Sequence, residues 1–198
     1  MGIYSLERAG KIVAENTALI EQICASYRLP PAYLKAVLLT EIPEIDLMDV
    51  LADTVVRINW ARYSVFHTYR NERHTRNPLR KFDSSTGYGQ IFAQVAIEAI
   101  LFAKSAGIVT ERDFPGDYSP SDPEDLQRVW KRLNRDTAFN LSCTALNIIH
   151  AAYQMTGRTD FKSFREEEKK LIFSRYNGNV SHITAYGERA FGNYLMSL

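Results

Sequence analysis

Apolar residues recur at helical spacing along almost the whole chain, and strict apolar–polar alternation never runs beyond four positions. A face that repeats every 3.6 residues cannot be satisfied by a pleated strand, so the pattern predicts a mainly α class. Cap and breaker residues then divide it. Ser5 opens an amphipathic helix over 5 to about 27, with Ile12, Leu19, Ile20, Ile23 and Cys24 on its apolar face. Leu29-Pro30-Pro31 stops that helix, and Pro31 suits the first turn of the next, AYLKAVLLTEI, which Pro43 ends.

DLMDVLADTVVRINWARYSVF reads as another helix, with Val50, Leu51, Val55, Ile58 and Trp60 expected inside. IFAQVAIEAILFAKSAG runs to Gly107, Asp122 opens PEDLQRVWKRL, and Asp136 or Thr137 opens TAFNLSCTALNIIHAAYQMTG, closed by Gly157. FKSFREEEKKLIFSRYNGN and ITAYGERAFGNYLMSL supply two more helices. Between DLMDVLADTVVRINWARYSVF and IFAQVAIEAILFAKSAG, the segment NERHTRNPLRKFDSSTGYGQ is rich in turn chemistry and reads as a long loop, with a small β-hairpin or turn around residues 83–91.

A chain of 198 residues, 45% hydrophobic and 24% charged, has the length and composition of one globular domain with a sizeable core. No run reaches the roughly 18 apolar residues of a membrane span. The formal net charge of +1 argues against a protein whose main work is neutralising nucleic acid, so no nucleic-acid partner is expected. Charge is concentrated locally: residues 57–81 hold Arg57, Arg62, Arg70, Arg73, Arg76, Arg80 and Lys81 against the single acid Glu72. That segment is either a solvated face or a surface that draws in an anionic polymer. Cys24 and Cys143 match no redox or metal spacing and read as buried free thiols, while His67, His74, His150 and His182 form no ligand pair. No metal or other cofactor is expected. MGIYSLERAGKIVAEN lacks the basic start, apolar core and cleavage site of a secretory signal.

One residue breaks the pattern. Leu34, Val37, Leu38 and Glu41 share a helix face, and Glu41 stands where another apolar residue is due. Apolar surroundings penalise a carboxylate, and so does the negative end of the helix dipole. Both keep the proton on, as general-acid cleavage of a glycosidic bond requires; the alternative is a glutamate at a frayed helix end, reaching water.

Three separated elements follow in order: LKAVLLTE, then SSTGYGQI leading into FAQVAI, then SRYNGN leading into AYGERAFGNYL. AFNLSCTALNIIHAAYQ adds a fourth, with Asn140 near the start of a long apolar helix. Together they resemble the lysozyme-like superfamily, above all goose-type lysozymes and soluble lytic transglycosylases, from about Ala32 to Tyr194. The resemblance implies a single lysozyme-like catalytic domain over 1–198. The 42 residues between Glu41 and Ser84 exceed the family's usual spacing, so 43–82 reads as a helical or loop insertion.

By that resemblance Glu41 is the catalytic acid of a peptidoglycan-cleaving muramidase acting between N-acetylmuramic acid and N-acetylglucosamine. Ser85, Gly87, Tyr88 and Gln90 belong to a substrate-binding turn. Its glycines permit close approach of backbone to sugar or simply a positive φ, and Gln90 either holds the turn or meets an N-acetyl group. Tyr88 faces a sugar or packs inside. Tyr176 and Asn177 match a Tyr-Asn signature that implies substrate binding: the tyrosine steadies the acid or the sugar, or else packs in the core, and the asparagine either caps its helix or takes part at the site.

An inverting hydrolase needs a second carboxylate, for which Asp83 is the leading choice, with Asp46 and Asp49 behind it; a lytic transglycosylase uses the sugar's own 6-hydroxyl and needs none. A non-catalytic lysozyme-like binder is the remaining alternative. The implied partners are peptidoglycan strands and, for an injected effector, an inhibitor or immunity protein. The implied site of action is the periplasm or cell wall, reached as a phage-type lysin, a secreted effector or a trimmed domain of a longer exported protein.

Overall fold

The computed structural model describes residues 2–70, 77 and 80–198. The protein is mainly helical, with nine α-helices among the described residues: α1 (Leu6–Glu15), α2 (Thr17–Tyr27), α3 (Pro31–Glu41), α4 (Leu47–Phe66), α5 (Ala93–Ser105), α6 (Pro123–Arg135), α7 (Thr137–Thr156), α8 (Glu166–Asn177) and α9 (Ala185–Leu195). The one strand-like pairing among them is an antiparallel bridge between Thr86 and Ile91, so the region 83–91 is a tight turn.

Local chemistry accounts for most helix boundaries. Ser5 accepts from the Arg8 amide, Asp122 from Glu124 and Asp136 from Phe139, which settles Asp136 as the α7 cap. Pro31 occupies the first turn of α3, and Gly157 ends α7 at φ +70°. The expected single helix over 5–27 is two helices. Asn16 donates its side-chain amide to Ile12 O over 2.8 Å and Thr17 its hydroxyl to Val13 O over 3.2 Å. Such side-chain bonds to the preceding turn compete with the helix ladder and bend the chain.

Helix α3 is nearly wholly buried and packs against α9, α1, α2 and α7; α8 packs against both α9 and α7, and α5 lies along α7. The α8–α9 crossing is close because of Gly187. A Cβ there would lie 2.0 Å from Ser174 Oγ and 2.5 Å from Lys170 O. Ser174 Oγ also accepts the Thr184 amide over 2.9 Å, fixing the start of α9 against α8. One buried apolar cluster links all of these helices, from Ala9 to Tyr194.

Helix α4 stands apart, and none of the extended helix pairings involves it. Three residues expected inside are turned outward, Val50, Leu51 and Ile58 being 49%, 56% and 55% exposed, while Trp60 is buried as expected together with Val56 and Asn59, and Val55 is half-buried. Trp60 packs edge-on against Phe82 and stacks on Tyr69, so α4 buries its narrow face on the segment that follows it rather than on the bundle. A capping box of Asp46 and Asp49 starts the helix. Asp53 latches its first half to the turn, accepting from Ser84 Oγ at 2.7 Å, Thr86 Oγ1 at 2.8 Å and Asn134 Nδ2 at 2.8 Å. No helix among the described residues is long and apolar enough to cross a membrane.

Candidate functional site

Glu41 is the last residue of α3 and is buried beside a cleft of about 630 Å³. Its Oε1 accepts the Tyr186 hydroxyl over 2.6 Å, from the first turn of α9. Burial pushes the carboxyl up to about 7, the Tyr186 bond opposes that shift, and nearby Glu44 raises it further. Arg189 pulls weakly the other way and is itself paired with Glu44. The apolar setting anticipated for Glu41 is therefore present, and its proton is held into the neutral range. Glu44 and Asp49 line the same end of the cleft.

The turn 84–91 supplies Ser85, Gln90 and Ile91 to the cleft lining. Asn140, buried on α7, holds the turn with two bonds, Oδ1 accepting the Gly89 amide at 3.0 Å and Nδ2 donating to Thr86 O at 3.0 Å, and reaches α6 with a third, Nδ2 to Leu133 O at 3.3 Å. A Cβ at Gly87 would lie 2.1 Å from Asn140 Nδ2, and one at Gly89 1.9 Å from Thr144 Oγ1. Both glycines thus serve a close approach of the turn to α7, and Gly87 also takes φ +69°. Gln90, at φ +45°, donates from Nε2 to Gly87 O over 2.8 Å and still lines the cleft, so its amide holds the turn.

Ser85, Gln90, Tyr176 and Asn177 line the cleft with Glu41; Gly87 and Tyr88 do not, and Tyr88 packs partly buried against the core. Tyr176 donates its hydroxyl to Gly89 O and stacks at 6.5 Å on Tyr186. The tyrosine that touches the acid is therefore Tyr186, not Tyr176. Tyr186 lies in the quoted AYGERAFGNYL but carries no local mark, because its partner is 145 positions away.

Asp83 is placed elsewhere than expected. Its Oδ1 accepts the Ala93 amide at 2.9 Å and its Oδ2 the Gln94 amide at 3.0 Å, so the carboxylate caps α5 and is absent from the cleft lining. Asp46 is likewise occupied by the Met48 and Asp49 amides. The Asp49 Oδ2 accepts the Asp46 amide, although Asp49 does line the cleft.

At the far end of α4, Arg62, His67, Arg70 and Arg80 border a second cavity of about 370 Å³, floored by Phe82. None of the described residues of 57–81 lines the main cleft. Glu72, Arg73, His74 and Arg76 lie outside the described residues. Cys24 and Cys143 are free, buried thiols, and no group of His, Cys, Asp and Glu suited to a metal ion occurs among the described residues. The chain matches no family model, no curated protein and no solved structure.

Proposed function

We propose that this protein cleaves peptidoglycan glycan strands at the β-1,4 bond between N-acetylmuramic acid and N-acetylglucosamine. The observation that carries this reading is Glu41, a carboxyl buried beside the cleft and protonated up to about pH 7. A carboxylic acid in that state can deliver its proton to the leaving glycosidic oxygen as the C1–O bond breaks and positive charge grows on the muramic sugar. Tyr186 orients Oε1 and disperses charge on the carboxylate left behind. The cleft is lined by a turn that α7 holds rigidly, as a site demanding precise sugar placement requires.

The fate of the glycosyl cation divides the family of possible products. With both Asp83 oxygens occupied by α5 amides, the strongest argument for a water-activating base falls away. Attack by the sugar's own 6-hydroxyl, whose proton returns to Glu41, needs no second acid and is the reading this placement favours. Digestion of purified sacculi by the protein and by Glu41→Gln, with mass spectrometry of the soluble fragments, tests both points. Products lighter by one water than their hydrolytic counterparts support transglycosylation, whereas reducing-end products support hydrolysis. Absence of any fragment with the unsubstituted protein refutes cleavage and leaves the non-catalytic binder.

A further inference from the structure

Helix α7 carries a polar stripe at helical spacing: Asn140, Thr144, Asn147, His150 and Gln154. Asn140 holds the turn by hydrogen bonds, and Thr144 packs closely against its Gly89. The last two hold Arg175: Gln154 Nε2 meets His150 Nε2 at 3.0 Å, and Gln154 Oε1 accepts Arg175 Nε at 2.8 Å. Phe102 stacks on the His150 ring at 4.8 Å. Burial and the Arg175 charge lower the His150 pKa, although Glu98 opposes them, so the ring is neutral and its Nε2 accepts the Gln154 amide.

Arg175 is further pinned through Nη1, which donates to Gly178 O at 3.3 Å and to Asn179 Oδ1. Three of its bonds thus go to neutral oxygens. Among the described residues it forms no ion pair and its Nη2 has no hydrogen-bond partner. An immobilised guanidinium with one free edge is pre-organised for a carboxylate, since its geometry and side-chain entropy are already fixed. Arg175 is also the one full cation among the described residues lining the cleft, against Glu41, Glu44, Asp49 and Glu98. An anionic group is repelled elsewhere in the cleft and settles here, which fixes the register of the ligand.

Between the two halves of the stripe sits Asn147. It is 93% buried by its 7% exposure, lines the cleft, and makes no side-chain hydrogen bond to another described residue. Its amide atoms are not sealed in the interior but open on the cleft, where a ligand amide can both donate to and accept from them. Asn147 and Gln154 are seven residues apart on α7, about 10 Å along its axis.

From this arrangement we infer that the cleft selects an N-acylated amino sugar bearing a carboxylate, Asn147 meeting its acyl amide and Arg175 its carboxylate. The inference rests on the cleavage reading for its substrate class, but the binding geometry it names stands on Asn147 and Arg175 alone. The carboxylate has two possible sources in the wall polymer, the lactyl group of muramic acid and the acidic residues of the stem peptide.

The test uses the Glu41→Gln protein as a non-cleaving trap and calorimetric titration with three defined probes: an N-acetylglucosamine oligomer without carboxylates, a glycan stripped of stem peptides, and the same glycan with stems. The carboxylate-bearing probes should bind at least tenfold tighter than the neutral oligomer. Arg175→Gln in the same background should abolish that preference while leaving the neutral oligomer unchanged. Asn147→Ala should weaken all three alike. Loss confined to the stemmed glycan assigns the contact to the peptide, and loss for both anionic probes assigns it to the lactyl group. Equal binding of all three, or an equal loss of all three with Arg175→Gln, overturns the inference even where sacculus cleavage is intact. Selective binding without cleavage would retain it and remove the enzymatic reading instead.

Discussion

Tyr186 donates its hydroxyl to Glu41 Oε1 across 2.6 Å, linking the start of α9 to the end of α3 at the edge of the cleft. The bond favours the carboxylate and works against burial, which favours the acid. Activity that depends on protonated Glu41 should fall as pH rises through about 7. Tyr186→Phe removes the one opposing hydrogen bond, so the alkaline limb of kcat/KM should move upward. A pH profile of fragment release from sacculi reads the shift; an unmoved limb with a lower rate would mean that the hydroxyl acts on the sugar instead.

Glu41→Gln should abolish cleavage and at the same time stabilise the fold at neutral to alkaline pH. The sign follows from linkage. With its folded pKa raised from 4.5 to about 7, Glu41 binds more protons in the native state over that window, so the stability it contributes is present below about pH 4.5 and lost as pH rises through 7. Glutamine keeps an acceptor for Tyr186 without the charge. Thermal melts at pH 5 and pH 8 should show the variant gaining stability mainly at pH 8, as expected where a site sacrifices stability for reactivity.

Asp83 offers a separation of roles. Asp83 accepts with both oxygens and asparagine can accept with only one, so Asp83→Asn should keep turnover at a modest cost in stability, whereas Asp83→Ala should cost about 1–2 kcal/mol through the exposed α5 amides. Urea denaturation measures the second effect. A fall in kcat for Asp83→Asn far out of proportion to its stability loss would return Asp83 to the reaction as a base.

Gly89→Ala should destabilise the turn by about 1–3 kcal/mol, because its Cβ meets Thr144 Oγ1 at 1.9 Å. Thr144→Ala removes that oxygen and should recover part of the loss in the double variant. The coupling, read from a double-mutant cycle in urea, should be clearly non-additive, since the two sites touch.

The helix boundaries were legible because their causes are local. Ser5, Pro31, Asp122, Asp136 and Gly157 act within a few residues, and each stands where the chain predicts it. Glu41 was legible for a related reason: an acid on the stripe of Leu34, Val37 and Leu38 is conspicuous within one helix. Its partner was not, since Tyr186 looks like any aromatic in a helical first turn until the chain closes on itself. The outward turn of Val50, Leu51 and Ile58 on α4 has a physical reason as well. Val50, Leu51 and Ile58 make the more apolar stripe, but the helix docks on Phe82 and the turn through Trp60, Asn59 and Asp53. Hydrogen bonds and one large aromatic decided the orientation, and periodicity weighs neither.

Asp53 tests that account of α4. Its carboxylate is partly buried, and burial raises its pKa while the Ser84 and Thr86 hydroxyls and Arg57 hold it down. It also joins Asn134 to Thr86, since Asn134 Nδ2 donates to both Asp53 Oδ2 and Thr86 Oγ1 at 2.8 Å. Ser84 in turn accepts Trp130 Nε1 at 3.0 Å, so a single carboxylate ties α4, the turn and α6 together. Asp53→Ala strands three donors at once and should cost about 2–4 kcal/mol, the range for breaking a partly buried polar network. Because α4 has no extended packing on another helix, the loss should be felt first there: amide exchange over 47–66 should speed up well before exchange in α3 or α7. Uniform acceleration across all helices would mean that α4 is held by its aromatic contacts and that Asp53 serves the bundle as a whole.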